Sequence, residues 1–443
     1  MTRRKRKIGF LKTLLTTTAL FACPAVQADE ISIDIDSSGK TATLTTGGTL
    51  AQDHTEELKN VILLDVAPTE NIEIKNGVLA VSKTLNINSG TFGLASTSYD
   101  KATFEAVNGT LNINGGNFNS SAHVNFTLAG KTVNVLNNAV FSSSVSESGS
   151  SHPIYRIKGD NISFAGTAKS GRLQLYFIPY KDGGRWNISA PIEEYSVIFG
   201  EEESSGYVNP VSMVEVSETI AATGMFKESP GSVKVNRGIT VHFSKDVSSA
   251  HFFQNRGVVR LDGTLTTGFY GGFEDSALYG TGSIVMNVPD DGKSAHRALH
   301  NIGYNPTTGK TERFKSIVVK SKKNNSYGNH YITGQSSIET VTVIDSGINL
   351  MGRGSLIDIG TLTVSGYYDY SLSFGLFQVT DGAIANIGML TVNETEAWVK
   401  NDSTLIVDKY KLPPKGSSTG GSFGAFLLQD GATFLRRNGG VLE

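Results

Sequence analysis

Residues 84–92 read TLNINSGTF and residues 110–118 read TLNINGGNF, two nearly identical phrases set 26 positions apart. Leu85 and Ile87 alternate with Asn86 and Asn88, the period-two pattern of a strand with one buried face, and Ser89-Gly90 then turns the chain toward Phe92. The second phrase repeats each feature with Leu111, Ile113, Gly115-Gly116 and Phe118. KTVNVLNNAVF at 131–141 is a weaker third copy, with Val133 and Val135 in the inward positions. Self-similarity at such a spacing marks a stacked architecture, because one unit buries too little apolar surface to stand alone. If copies stack ~4.8 Å apart, like aliphatic residues lie above like ones and the backbone groups of neighbouring coils satisfy each other. Leu85 and Leu111 are therefore expected in one aliphatic ladder.

The pattern returns toward the C-terminus. IGTLTV at 359–364 recurs as IGMLTV at 387–392, a spacing of 28, and TVTV at 340–343 precedes the TLTV of the first phrase by 21. FGLFQVTDGA at 374–383 matches FGAFLLQDGA at 423–432 at a spacing of 49, about two coils. Coils of 21 to 28 residues whose phrases alternate with period two predict an all-β fold, a right-handed parallel β-helix, rather than a helical solenoid. One elongated domain is expected over 29–443, with 150–245 a less regular, insertion-rich section and further insertions at 142–153, 289–313, 320–330 and 411–421.

Open solenoid ends expose unpaired strand edges, so they need covers. Within an N-terminal cap region, 29–64, ISIDID at 31–36 reads as a strand. QDHTEELKN at 52–60 reads as a short capping helix, with Asp53 as N-cap and Glu56 completing a capping box. At the other end the repeat phrase runs on toward Glu443, which predicts self-association through the C-terminal coil.

The chain opens MTRRKRKIGFLKTLLTTTALFACPAVQADE, a basic head followed by an apolar stretch from Leu14 to Ala22 and then small residues. This is the pattern of a signal peptide over 1–28 for the general secretory route, with cleavage after Ala28. The apolar stretch is too short to span a bilayer, and no later segment is apolar enough, so no transmembrane helix is expected. Cys23, the only cysteine, follows Leu20-Phe21-Ala22 and offers lipidation as an alternative; otherwise it leaves with the leader and the mature chain forms no disulfide. With the six basic residues of 1–28 removed, 33 Lys and Arg face 41 Asp and Glu, a net charge of −8. Nucleic acid is thereby disfavoured as a partner.

Gly-rich phrases such as GTLNINGG (109–116), GTLTVSG (360–366) and YGTGSIVMNV (279–288), in an exported chain without mature cysteine, resemble the passenger regions of bacterial autotransporters and related surface adhesins. The resemblance spans most of 40–130 and 255–435. It implies a right-handed parallel β-helix at the surface of a Gram-negative outer membrane or released from it, with the periplasm or a lipid anchor as alternatives. Autotransporters end in a membrane barrel, for which no segment remains before Glu443. A truncated autotransporter, an anchor supplied by a partner and a free secreted protein all stay open.

Parallel β-helices also carry enzymes that cut acidic polysaccharides with clustered carboxylates beside His, Lys or Arg, so a polysaccharide lyase or hydrolase is the alternative function. Arg156-Ile157-Lys158 matches a polygalacturonase triplet, but the Asn-Thr-Asp and Gly-His-Gly elements that should precede it are missing, and Asp290-Asp291 comes after it as a polar turn. His296 and His300 stand four apart, yet Arg297 takes the place of a zinc protease's general-base Glu. In YGGFEDSALYG, Glu274 stands where a calcium-binding nonapeptide needs Gly, and Asp345-Ser346-Gly347 lacks the context of a protease serine. No catalytic residue, metal or cofactor is assigned. The binding candidates are aromatic: Tyr180 and Trp186, which flank KDGGR, and Tyr367, Tyr368 and Tyr370 in GYYDYSLSFG. Flat aromatics beside polar groups stack on sugar rings or anchor protein partners. A non-enzymatic binding or structural role is expected, with a glycan, a host-matrix component or a cell-surface protein as partner.

Overall fold

The computed structural model describes residues 30–94, 100–120, 125–145, 152–202, 208–223, 231–289, 298–321, 329–366, 376–393, 395–412 and 426–437. The chain winds as a parallel β-helix in which the strands of its ladders pair in parallel with those one coil before and after. A coil visits three ladders in turn. Thr84–Ile87 lies in the first, Thr91–Leu94 in the second and the start of Lys101–Ile113 in the third, before that long strand bends into the first ladder of the next coil. The bend falls at Gly109, where an added Cβ would lie 1.8 Å from the Lys83 carbonyl oxygen, so only glycine lets the two coils close up at this corner.

Leu85 and Leu111 are register partners and both fully buried, as the repeat predicts. The first ladder continues inward as Val133, Ile162, Trp186, Val214, Val241 and Val259. Coil length varies more widely than the repeats suggest, from 17 residues between Phe253 and Tyr270 to 36 between Val197 and Val233. The strands keep their register while the corners absorb the difference, because parallel pairing constrains the strands and leaves the turns free. Residues 154–243 place their strands in the same three ladders.

The core is one continuous column of aliphatic and aromatic side chains. Phe92, Phe118 and Phe141 stack in the second ladder at centroid spacings of 4.8 and 5.2 Å, and Phe126 and Tyr155 stack beside them at 4.9 Å. Outside, the asparagines of the repeat form a second column. Asn86 Nδ2 donates to Asp65 Oδ1 at 2.7 Å, Asn112 Nδ2 to Asn86 Oδ1 at 2.8 Å, and Asn134 Nδ2 to Asn112 Oδ1 at 2.8 Å.

The N-terminal end is covered. Asp34–Ile35 runs antiparallel to Thr41–Leu44 over the first ladder, and the helix Thr55–Leu58 stands where a strand of the third ladder would lie, with Leu58 buried. The helix starts one residue later than the capping box implies. His54 is the N-cap because Asp53 is held as a parallel bridge to Val78, and the Asp53 carboxylate accepts from Thr55 N at 2.9 Å. Glu56 pairs with Lys59 at 3.1 Å instead of turning back. His54 is itself gripped by Glu57 at 2.8 Å and Glu30 at 3.2 Å.

Toward the C-terminus the third ladder changes sheets. It leaves the large sheet after Thr264–Gly272 and resumes as a six-stranded sheet that begins with Ala298–His300. Among the described residues no helix is long and apolar enough to cross a membrane.

Candidate functional site

The two described aromatic candidates have opposite surroundings. Trp186 is 1% exposed, faces the core between Ile162 and Val214, and donates from Nε1 to the Gly159 carbonyl at 3.0 Å. Its indole is thus withdrawn from any ring arriving from solvent. The period-two reading explains this: Trp186 takes the inward position of Arg185–Ile188, while Arg185 and Asn187 face out. Tyr180 is half-buried and donates to Glu105 Oε1 at 2.7 Å, with the Lys181 ammonium 5.3 Å from its ring centroid. Tyr367, Tyr368 and Tyr370, residues 1–28 with Cys23, and Asp290, Asp291 and His296 lie outside the described residues.

The turn after Tyr180 wraps a carboxylate. Backbone N–H groups of Tyr180, Lys181, Asp182 and Gly183 all donate to Asp160 Oδ1, at 3.1, 2.8, 3.0 and 3.1 Å. A left-handed Gly183 (φ +72°) lets the turn close. This concave set of donors is an anion nest already filled by the chain's own Asp160. Burial, reinforced by the bond to Glu105, pushes the Tyr180 phenol up to about 12. Since the folded pKa exceeds the usual ~10, the stability tied to the neutral phenol is complete below pH ~10 and lost as pH rises through about 12. An alkaline spectrophotometric titration should show several late phenols, since Tyr155, Tyr176, Tyr270 and Tyr279 are also pushed up, and Tyr180→Phe should remove one of them; a wild-type minus variant difference spectrum titrating near pH ~10 would contradict the burial described.

The remaining motifs resolve as structure. Arg156 faces outward, donating to Asn125 Oδ1 at 3.0 Å and lying 5.4 Å from the Tyr176 ring centroid, while Ile157 is core. Asp345 takes a left-handed turn conformation (φ +52°) at a strand end, and Ser346 is buried. His300 lies on a strand rather than a helix and pairs with Thr333.

A polar column that no local motif announces crosses the outer side of the first ladder. Asn187, Glu215, His242, Arg260 and Tyr279 are successive register partners. His242 Nδ1 meets Glu215 Oε1 at 2.8 Å, and its Nε2 meets Asp262 Oδ2 at 2.8 Å. Arg260 Nη2 reaches the same Asp262 oxygen at 2.9 Å, and Thr281 donates to Oδ1 from its backbone N and its hydroxyl at 3.2 Å each. Burial works against ionising Asp262, but Thr281, His242 and Arg260 outweigh it and hold its carboxyl below the usual range. Beside this network an open groove of about 490 Å³ is lined by Arg185, Met213, Thr240 and Tyr279. Met213 in this lining is 57% exposed and gives the groove an apolar patch. Among the described residues no carboxylate pairs with Arg185 within ion-pair distance.

Glu215 and Asp262 grip opposite nitrogens of one imidazole, so His242 fills the space between them. A carboxylate pair that hydrolyses a glycosidic bond with inversion needs that gap for a water. Among the described residues no three His, Cys, Asp or Glu side chains converge as metal ligands. The signal for this column is the alternation itself, R-W-N-I, M-V-E-V, T-V-H-F and V-V-R-L, but only the register reveals that the outward members stack.

By fold the chain is a parallel β-helix protein. Compared with protein-family models, curated proteins and solved structures, it matches none.

Proposed function

We propose that this is an exported parallel β-helix of adhesin type, acting outside or on the surface of a Gram-negative cell by binding rather than by catalysis, with the first-ladder groove as its ligand surface. The observation that carries the reading is the division of labour in the groove: Glu215, His242, Asp262 and Arg260 are spent on one another, while Arg185, Met213 and Tyr279 line an open face beside them. A guanidinium beside apolar and aromatic side chains suits a glycan, whose sugar faces are apolar and whose edges accept hydrogen bonds. The leader-like residues 1–28 and the autotransporter-like phrases support export and display.

One observation favours the second reading, a polysaccharide hydrolase or lyase: the His242 imidazole and the Glu215 carboxylate line an open groove on a β-helix, with Asp262 on the imidazole's other nitrogen. A single experiment separates the two. Mature protein, and the same protein carrying Arg185→Ala, is incubated with an array of acidic and neutral glycans, and both retention and release of reducing or unsaturated ends are read. Retention of a glycan subset without product, weakened about tenfold by Arg185→Ala as one charge-assisted contact is lost, is expected. Product release would transfer the assignment to the enzyme, and absence of both would remove the groove as a glycan site.

A further inference from the structure

A second concave site lies where the third ladder resumes, about 640 Å³ in volume and lined by Glu274, His300, Tyr331, Thr333, Met351 and Arg353. Its frame is built from stacked corners of consecutive coils. Asn301, left-handed at φ +50°, donates to the carbonyls of Ser276 at 2.9 Å and Glu274 at 3.3 Å and accepts from Gln335 N at 2.9 Å, tying three corners together. Ser355 fixes the next corner by accepting from Gly334 N and donating to the Met351 carbonyl, each at 2.9 Å. Arg353 projects from that corner between Gly352 and Gly354, both left-handed, and its stem packs at 3.5 Å from the position a Cβ would take on Gly382. The backbone around the site is therefore positioned by the side chains of Asn301 and Ser355, and none of these bonds uses the side chains of Glu274, Tyr331 or Arg353.

Those side chains carry one cation, one anion and neutral hydrogen-bonding groups. His300 and Thr333 are register partners, and the Thr333 hydroxyl is in hydrogen-bond contact with His300 Nδ1. Burial holds the imidazole below its ordinary pKa, so the ring is neutral at pH 7. With Thr333 assigned as donor to Nδ1, the ring's single proton sits on Nε2 as a donor. Among the described residues neither Arg353 nor Glu274 has an ion-pair partner within 4.0 Å. One unpaired guanidinium fits one carboxylate in bidentate fashion, whereas Glu274, His300 Nε2–H and the Tyr331 hydroxyl complement vicinal hydroxyl groups that both donate and accept.

We infer that this pocket is a second ligand site, distinct from the first-ladder groove, that takes an acidic sugar residue, its carboxylate on Arg353 and its hydroxyls on Glu274, His300 and Tyr331. Hydroxyl recognition separates a sugar acid from a plain carboxylate or a peptide C-terminus, which would use Arg353 alone.

Isothermal titration of the mature protein with glucuronic acid, galacturonic acid and N-acetylneuraminic acid tests this directly, with a neutral methyl glycoside, acetate and a short peptide with a free C-terminus as comparison arms. At least one sugar acid should still bind the Arg185→Ala protein, in which the groove is disabled, and bind at least about tenfold more weakly once Arg353→Ala is added, the loss of one charge-assisted pair. Thr333→Val preserves side-chain shape but frees the imidazole, and should weaken the sugar acid while leaving the circular dichroism spectrum intact. No binding by any sugar acid, equal binding by the neutral glycoside, acetate or peptide, or insensitivity to Arg353→Ala overturns the inference. Because the groove is probed separately through Arg185, failure here leaves the glycan reading of the first-ladder groove standing, and the reverse.

Discussion

Phe118→Ala is expected to destabilise the protein by about 3–5 kcal/mol, the range for removing a fully buried phenylalanine from a close-packed core. Phe118 is fully buried and stacked between Phe92 at 4.8 Å and Phe141 at 5.2 Å, with Phe126 edge-on at 5.9 Å. The cavity cannot collapse easily, because the flanking rings belong to coils whose spacing is set by backbone hydrogen bonds on three sides. Phe118→Leu keeps most of the volume and should cost less than about 1.5 kcal/mol. Equilibrium denaturation of the three proteins measures both. A loss below about 1 kcal/mol for the alanine variant would mean that the aromatic column is not packed as described.

The second large effect is expected at Asp160. The residue is 3% exposed, and one of its oxygens is the acceptor for four backbone N–H groups of the 180–183 turn. Asp160→Ala orphans these donors, and at ~1–3 kcal/mol for each that stays dry the loss should reach about 3 kcal/mol or more. Asp160→Asn retains an oxygen acceptor without the charge and should recover roughly half of that, since charge-assisted bonds are about twice as strong as neutral ones. Hydrogen exchange localises the effect: protection should fall first at residues 180–183, whereas Phe118→Ala should loosen the neighbouring coils. Unchanged exchange in that turn would rule out the anchoring role. In a stacked chain such damage spreads chiefly to adjacent coils.

The stacking of Leu85 on Leu111, and the recurrence at 359–364 and 387–392, were legible because each phrase carries its own strand pattern and its own turn. Trp186 shows where that reading stops. The polar turn before it marks Trp186 as a surface aromatic, yet the alternation R-W-N-I places it inward with Ile188, and the periodic signal outweighs the neighbourhood signal. The short helix was found, but its start moved to His54, because Asp53 is committed to a bridge with Val78 that no local pattern records. The groove was invisible for a different reason. Glu215 and His242 lie 27 positions apart, and His242 and Asp262 lie 20 apart, so their meeting depends on unequal coil lengths. The same holds for His300 and Thr333, 33 apart across a coil whose corner is unusually long. Chemistry that assembles across coils is encoded in register, and register is encoded in corners whose lengths follow no period.

The column of asparagines outside the first ladder has a sense of direction. Every Nδ2 points back to the coil before it, from Asn134 to Asn112 to Asn86, and the series terminates on the carboxylate of Asp65. Four side chains thus form a head-to-tail wire of aligned amide dipoles with an anion at its accepting end, so each bond polarises the next. Polarity of this kind makes the rod's outer wall electrically asymmetric along its axis, and it makes neighbouring coils sense one another through their surfaces as well as through their shared core.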